Sequence, residues 1–390
     1  MSDKIKVGLF IDSYFPTVDG VIIVVDNYAR ALKEKGYEVF VAAPGRKSKT
    51  ADRKLPYKVH RSMEISYQNW SYTWPMPGYD KTFKDEILKE RPDIIHIHSP
   101  FGMGKEGVRL AKKLNIPVVA TMHSQFDQDF YKATKSKSIT KMLLARIIRV
   151  FSHCEEVFTM SKKLENLLLS YGYEGKMRII PNATDMEYPK EPEKLISYIN
   201  NTYKIKEDEN VFLFVGRLIE AKGVLFIIEA LKHLKKQGVK FKMFFVGSGP
   251  DSDELKEKIE EYGMQNEVIL TGKIMDRELL SAYYLRADLF LFPSLYDNDS
   301  LVQKEAGVNK TPVLFVRGAM TAHSTKDNEN GYLTEYEPKI YADRILEIVN
   351  NKQLLKEVSE NIYKEQITWG QAVDKAVVAY NEIIKNYKDR

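Results

Sequence analysis

Cysteine is nearly absent: Cys154 is the only one in the chain. An intramolecular disulfide is therefore excluded, and a reducing compartment is expected. No apolar run approaches the ~20 residues that a bilayer span requires. The opening Met1-Ser2-Asp3-Lys4-Ile5-Lys6 has no apolar h-region, so no signal peptide is expected. The expected location is cytoplasmic, with peripheral attachment to the inner face of the plasma membrane left open. Charge of one sign is also scarce: 59 basic against 54 acidic residues leave a net +5. That excess suits an anionic ligand or an anionic membrane surface and specifies neither; no nucleic-acid partner is expected. The first strand-to-helix turn lacks G-x-G-x-x-G, which argues against a dinucleotide fingerprint there.

What is present is the composition of a globular protein, 44% apolar and 29% charged. A length of 390 residues gives room for two or three domains with cores of normal size. Residues 6–11 read as a short buried strand, 21–35 as a helix closed by Gly36, and 38–42 as a second strand. This alternation opens a doubly wound parallel α/β sheet. Strands at 94–97, 118–121 and 157–160 and helices at 81–89 and 105–114 continue it. A second sheet starts at 212–215, with a helix at 224–237 and strands at 242–246, 268–270, 289–292 and 313–316. The expected domains are 1–186 and 187–368, with a terminal helix 369–390 returning to the first.

Several residue groups have chemistry at their disposal. Asp297 lies in the loop after strand 289–292, and Glu305 on the second turn of a helix starting near Ser300. The two can address one cleft, beside the amides of Ser300 and Leu301, which offer anion-binding donors. Carboxylates accept from hydroxyls, and amides and cations hold phosphates, so the combination suits a phosphorylated sugar. Arg217 and Lys222 flank a strand-to-helix turn, a fork and a point charge for a diphosphate; the bland alternative is two solvated cations. Gly247 ends a strand and can admit a ligand closely. Gly20 opens a helix whose amides could seat a pyrophosphate, or is an ordinary turn residue. His98 and His123 follow strand ends, where open α/β sheets bind ligands, or are structural.

The stretch 131–151 holds Lys132, Lys135, Lys137, Lys141, Arg146 and Arg149 and no acid. Met142, Leu143, Ile147, Val150 and Phe151 form an apolar stripe. It reads either as a surface helix with its stripe in the core or as an interfacial helix on anionic lipid, each cation contributing about 1 kcal/mol. Tyr67, Trp70, Tyr72, Trp74 and Tyr79 line an acceptor groove, dip into headgroups or pack a long loop.

The run from Pro293-Ser294 through Asp297 to Glu305-Ala306 resembles the Glu-x7-Glu signature of the retaining glycosyltransferases of GT-B family 4. Gly216-Arg217-Leu218 with Lys222-Gly223 is similar to that family's diphosphate turn, and Pro181-Asn182-Ala183-Thr184-Asp185 to its interdomain segment. The opening Gly8-Leu9-Phe10-Ile11-Asp12-Ser13-Tyr14-Phe15-Pro16, and the segment from His123 through Lys141, resemble the diacylglycerol glucosyltransferases within it. Three departures stand out: Asp297 in place of Glu, Asp299-Ser300 in place of Phe-Gly, and Gly307-Val308-Asn309-Lys310 in place of a small-residue run.

The resemblance implies two Rossmann-like domains facing across a cleft, with a hexose moved from a nucleotide-diphosphate sugar, UDP-glucose first, to a lipid such as diacylglycerol. It implies Glu305 at the ribose, Asp297 at the sugar hydroxyls, Arg217 and Lys222 at the diphosphate with Gly20 assisting, and His123 at the reacting sugar. Gly272, Lys273 and Ile274 would read the base. No metal is required. Asp297-Asn298-Asp299 also spells the D-x-D that holds a divalent ion in an unrelated fold. The alternatives are a same-fold enzyme acting on a polysaccharide or cell-wall intermediate, and an inactive relative that binds glycans or a partner protein.

Overall fold

A computed structural model describes residues 4–48, 52–65 and 73–390. The chain divides into two compact units, Met1–Asn182 with Thr368–Arg390, and Ala183–Ile367. Tyr67, Trp70 and Tyr72 lie outside the described residues.

The first unit is built on β1 (Lys6–Phe10), β2 (Glu38–Pro44), β3 (Lys58–Ser62), β6 (Ile94–Ile97), β7 (Val118–Thr121), β8 (Glu156–Thr159) and β9 (Met177–Ile179), with a two-stranded ribbon of β4 (Glu64–Ile65) and β5 (Trp74–Pro75) beside it. The seven-stranded sheet has the order β3-β2-β1-β6-β7-β8-β9 and is parallel throughout. Val7 pairs with Val39 on one side and Ile94 on the other. Strands buried on both faces read as apolar runs, and β1, β6 and β7 do.

The second unit repeats the plan. β10 (Asn210–Val215), β11 (Phe241–Val246), β12 (Val268–Gly272), β13 (Leu289–Phe292), β14 (Val313–Val316) and β15 (Tyr332–Thr334) form a parallel sheet ordered β12-β11-β10-β13-β14-β15. Its core packs β10, β11, β13 and β14 against the helix Val224–Lys236 and neighbouring helices. In each unit chain order reverses beside the first strand, between β1 and β6 and between β10 and β13. Loops leaving adjacent strands diverge at such a point and leave a crevice at their carboxyl ends.

One expected element is corrected. Residues 131–151 are not one helix: Phe126–Thr134 ends at Lys135 in the left-handed region, and Lys137–Phe151 restarts with Ser136 capping the Ile139 amide. The apolar stripe is only partly core. Ile147, Val150 and Phe151 are buried, whereas Met142 is 48% exposed. The helix Trp369–Lys388 carries a capping box at Thr368 and Gln371 and packs against the helix Gly20–Glu34.

Candidate functional site

In the second unit the switch point gathers the loops after β10 and β13. Lys222 ends a short 3-10 turn, Glu220–Lys222, before the helix Val224–Lys236. Its Nζ lies 3.0 Å from Asp297 Oδ1, and Ser294 Oγ donates to Asp297 Oδ2 at 2.7 Å. Arg217, two residues past β10, is exposed. Three glycines let these loops close together. A Cβ on Gly247 would stand 1.9 Å from the Gly216 carbonyl oxygen, one on Gly249 2.0 Å from that of Leu218, and one on Gly223 2.7 Å from the Pro293 ring. The Gly247 amide donates to the Gly272 carbonyl at 2.9 Å, bringing the end of β12 alongside. Lys273 is exposed and Ile274 half-buried against the core.

Ser300 caps the helix Leu301–Val308 without a side-chain hydrogen bond. Glu305 is buried on that helix. Arg277 Nη1 donates to its Oε1 at 2.8 Å, and the Tyr284 hydroxyl to its Oε2 at 3.0 Å. Burial raises the Glu305 carboxyl above its ordinary value, and Arg277 and Tyr284 offset only part of that. Asp297 and Glu305 thus sit on one loop-helix segment, with different partners.

The departures at Asp299 and Lys310 have local partners. The buried Asp299 carboxylate accepts from Gln303 Nε2 at 2.8 Å and pairs with Lys304 Nζ at 2.9 Å, with His323 Nε2 at 3.7 Å. Burial pushes this carboxyl up, but Lys304 and His323 outweigh it and hold it at about 2. Lys310 adopts positive φ, pairs with Glu360 at 2.7 Å and lies over the rings of Tyr188 and Tyr363. The D-x-D carboxylates therefore each serve a different lysine.

The first unit's switch point carries a second cluster. His98 follows β6, and its Nδ1 lies 3.0 Å from His123 Nε2. The His96 ring lies tilted against that of His98 and bonds Tyr380 and Thr121, each at 2.7 Å. Burial lowers the His123 imidazole to about 4 and those of His96 and His98 well below their ordinary value. All three are neutral at pH 7.

Gly20 is the first residue of its helix, where Asp19 caps the Ile22 amide at 2.9 Å. That places a carboxylate at the helix start where the sequence reading put a pyrophosphate. The G-x-G-x-x-G spacing does occur, at Gly102-Met103-Gly104-Lys105-Glu106-Gly107 after β6. Those glycines serve packing: a Cβ on Gly104 would meet the Ser99 carbonyl oxygen at 2.0 Å. The helix-start amide of Met103 is taken by Asp12 at 2.7 Å. Burial raises the Asp12 carboxyl to about 7 in spite of amide contacts from Met103, Phe101 and Gly102. Asp12, Arg277 and Tyr284 were not singled out from sequence; the only available signal was the seven-residue spacing of Arg277 and Tyr284, which puts both on one helix face.

Lys132, Lys135, Lys137, Lys141, Arg146 and Arg149 are all exposed. Among the described residues none of the six forms a salt bridge. No helix among the described residues is long and apolar enough to cross a membrane.

Comparison with known proteins decides the family. Residues 18–188 match Glycosyltransferase Family 4, and residues 198–365 match Glycosyl transferases group 1. The chain belongs to the family 4 glycosyltransferases. It is 27% identical over 319 residues to an alpha-monoglucosyldiacylglycerol synthase of Streptococcus pneumoniae, covering 79% of this chain and 70% of that protein. It is 23% identical to the alpha-monoglucosyldiacylglycerol synthase of Acholeplasma laidlawii, covering 91% of each. The solved structure of Anabaena Alr3699/HepE in complex with UDP superposes with a TM-score of 0.78 at 15% identity, covering 97% of this chain and 99% of that one. The fold is GT-B, two Rossmann-like α/β units. The protein is a glycosyltransferase that uses a nucleotide sugar.

Proposed function

We propose that this glycosyltransferase moves glucose from UDP-glucose to a diacylglycerol-type lipid with retention of anomeric configuration. The observation that carries the reading is the convergence of Lys222 and Asp297 at the second unit's switch point, on the segment that continues to a buried Glu305. Lys222 and Arg217 take the diphosphate and stabilise it as it departs. Glu305 accepts from the ribose hydroxyls and Asp297 from those of the sugar. The backbone at Gly247, Gly272, Lys273 and Ile274 serves the nucleotide, and that at Ser300 and Leu301 the phosphates and sugar. His123, neutral, hydrogen-bonds the transferred sugar. The residues present supply the charge the diphosphate needs, and we assign no metal.

The acceptor side rests on the two alpha-monoglucosyldiacylglycerol synthases among the relatives and on six exposed cations that form no salt bridge among the described residues. An anionic leaflet attracts such a patch, which makes the protein peripheral to the inner face of the membrane. The local pairing of Asp299 and Lys310 favours a working enzyme over an inactive relative, because drift leaves buried charges unpaired. The test is a panel of nucleotide sugars with diacylglycerol in anionic liposomes. Liposome-stimulated glucosyl transfer from UDP-glucose is expected. Transfer confined to soluble glycans, or nucleotide-sugar binding without turnover, would overturn the acceptor or the activity.

A further inference from the structure

Arg277 is the first residue of the helix Arg277–Arg286, and Tyr284 lies two turns along the same face. Both reach Glu305 on the helix Leu301–Val308, one to each carboxylate oxygen. Arg277 Nη2 also holds Asp185 Oδ1, so its guanidinium bridges two carboxylates from different segments. A carboxylate has about four lone-pair positions. One donor on each oxygen leaves each with capacity for one further bond, the number a pair of neighbouring hydroxyls needs.

We propose that Arg277 is a positioning residue for the nucleotide: with Tyr284 and Asp185 it fixes the Glu305 carboxylate, ionised and oriented, to receive the two ribose hydroxyls. This rests on the assignment of Glu305 to the ribose. Position alone would not require an arginine. Glu305 is buried, and burial favours its protonated form. A protonated carboxyl gives one acceptor position to its own proton and cannot serve both hydroxyls equally. The groups facing Glu305 are Arg277 and Tyr284 from one helix and Asp185 from the segment before the second unit's first helix. Of these only Arg277 is cationic, so its loss leaves burial and Asp185 unopposed. Tyr284 donates but brings no charge. The Arg277 side chain is 44% exposed and stands at the helix start, so replacing it removes no core packing.

The test is calorimetric binding of UDP and of 2′-deoxy-UDP, from pH 6 to pH 8.5, to wild type, Arg277→Met, Arg277→Lys and Glu305→Gln. Arg277→Met is expected to weaken UDP at pH 6.5 by at least about tenfold and to reduce the preference for UDP over the deoxy analogue. The loss should be smaller at pH 8.5 than at pH 6, because a rising pH favours the ionised Glu305 carboxylate. Arg277→Lys keeps the charge without the fork and should fall between. A purely structural role would weaken both ligands alike at every pH and leave the preference intact, which would overturn the inference. Weakening by Glu305→Gln with Arg277→Met unchanged would overturn it while sparing the ribose assignment. Wild-type binding by Glu305→Gln would overturn the ribose assignment itself. Asp185→Asn is the second variant should Arg277→Met not fold. Freeing Arg277 from one of its two anchors, it should change UDP affinity by less than Glu305→Gln does, and an affinity unchanged from wild type at every pH would overturn the inference.

Discussion

Replacing Asp299 by Asn asks whether the altered signature loop is a built structure or a decayed one. The carboxyl is held at about 2 against an ordinary 3.8. At about 1.4 kcal/mol per pKa unit, that difference corresponds to roughly 2 kcal/mol of stability. Because the native value is depressed, the contribution is whole above about pH 4 and is lost as the pH falls through about 2. At pH 7 the Asn variant, which also leaves Lys304 without its counter-ion, should therefore lose about 2–3 kcal/mol, short of the 3–5 kcal/mol of breaking a fully buried pair. For a unit of this size that is a fall of about 5–10 °C in its melting transition. Scanning calorimetry at pH 7 on Asp299→Asn, Lys304→Met and the double variant reads it directly. The double variant should lose less than the sum of the singles, since its second change removes a charge already stranded. Additive losses, or a single-variant effect under about 0.5 kcal/mol, would refute the claim that these residues hold the loop as a unit.

Glu305→Gln and Lys222→Ala should each lower sugar transfer at least about tenfold, the effect of about 1.4 kcal/mol; wild-type rates from either would undo the donor assignment. Neutralising Lys137, Lys141, Arg146 and Arg149 to Gln should weaken cosedimentation with anionic liposomes at least about a hundredfold at low salt, with little effect on neutral ones. The buried histidines give the first unit a pH trend of the same sign in a higher window. With folded values below 6.5, the unfolded chain takes up protons first, so stability falls as the pH drops from 6.5 toward 4. In urea melts at pH 7.5 and pH 5, His123→Asn should remove about 1 kcal/mol of that difference, roughly half the full linkage value because the side chain is partly exposed. Gly247→Ala forces a Cβ to 1.9 Å from the Gly216 carbonyl oxygen; a thermal shift matching wild type would show that the two loops need not meet.

The donor-side framework was legible because its signals are local. β13 is an apolar run stopped by Pro293, and the helix carrying Glu305 follows a polar loop at a readable spacing. β3 was missed because its buried residues are polar. His60 bonds Glu86 and Glu90, and Arg61 pairs with Asp52 and donates to the carbonyls of Pro44 and Phe15. A pattern reading that equates buried with apolar passes over such a strand. The break at Lys135 did have a local signal, Ser136 three residues before Ile139, but the basic and apolar residues on both sides of it concealed it. The clamp on Glu305 needs two helices and a third segment brought together, and no window of sequence contains that. Asp299 looked like loss of the signature until Gln303 and Lys304, four and five residues on, proved to be its partners.

The central claim is that the second unit grips an activated sugar's diphosphate at Lys222 and its ribose at Glu305. A crystal structure of the protein with UDP-glucose tests it most directly. The account predicts phosphate oxygens within hydrogen-bond distance of Lys222 Nζ and ribose hydroxyls on the Glu305 carboxylate. A nucleotide bound elsewhere, or bound with neither side chain in contact, would contradict it.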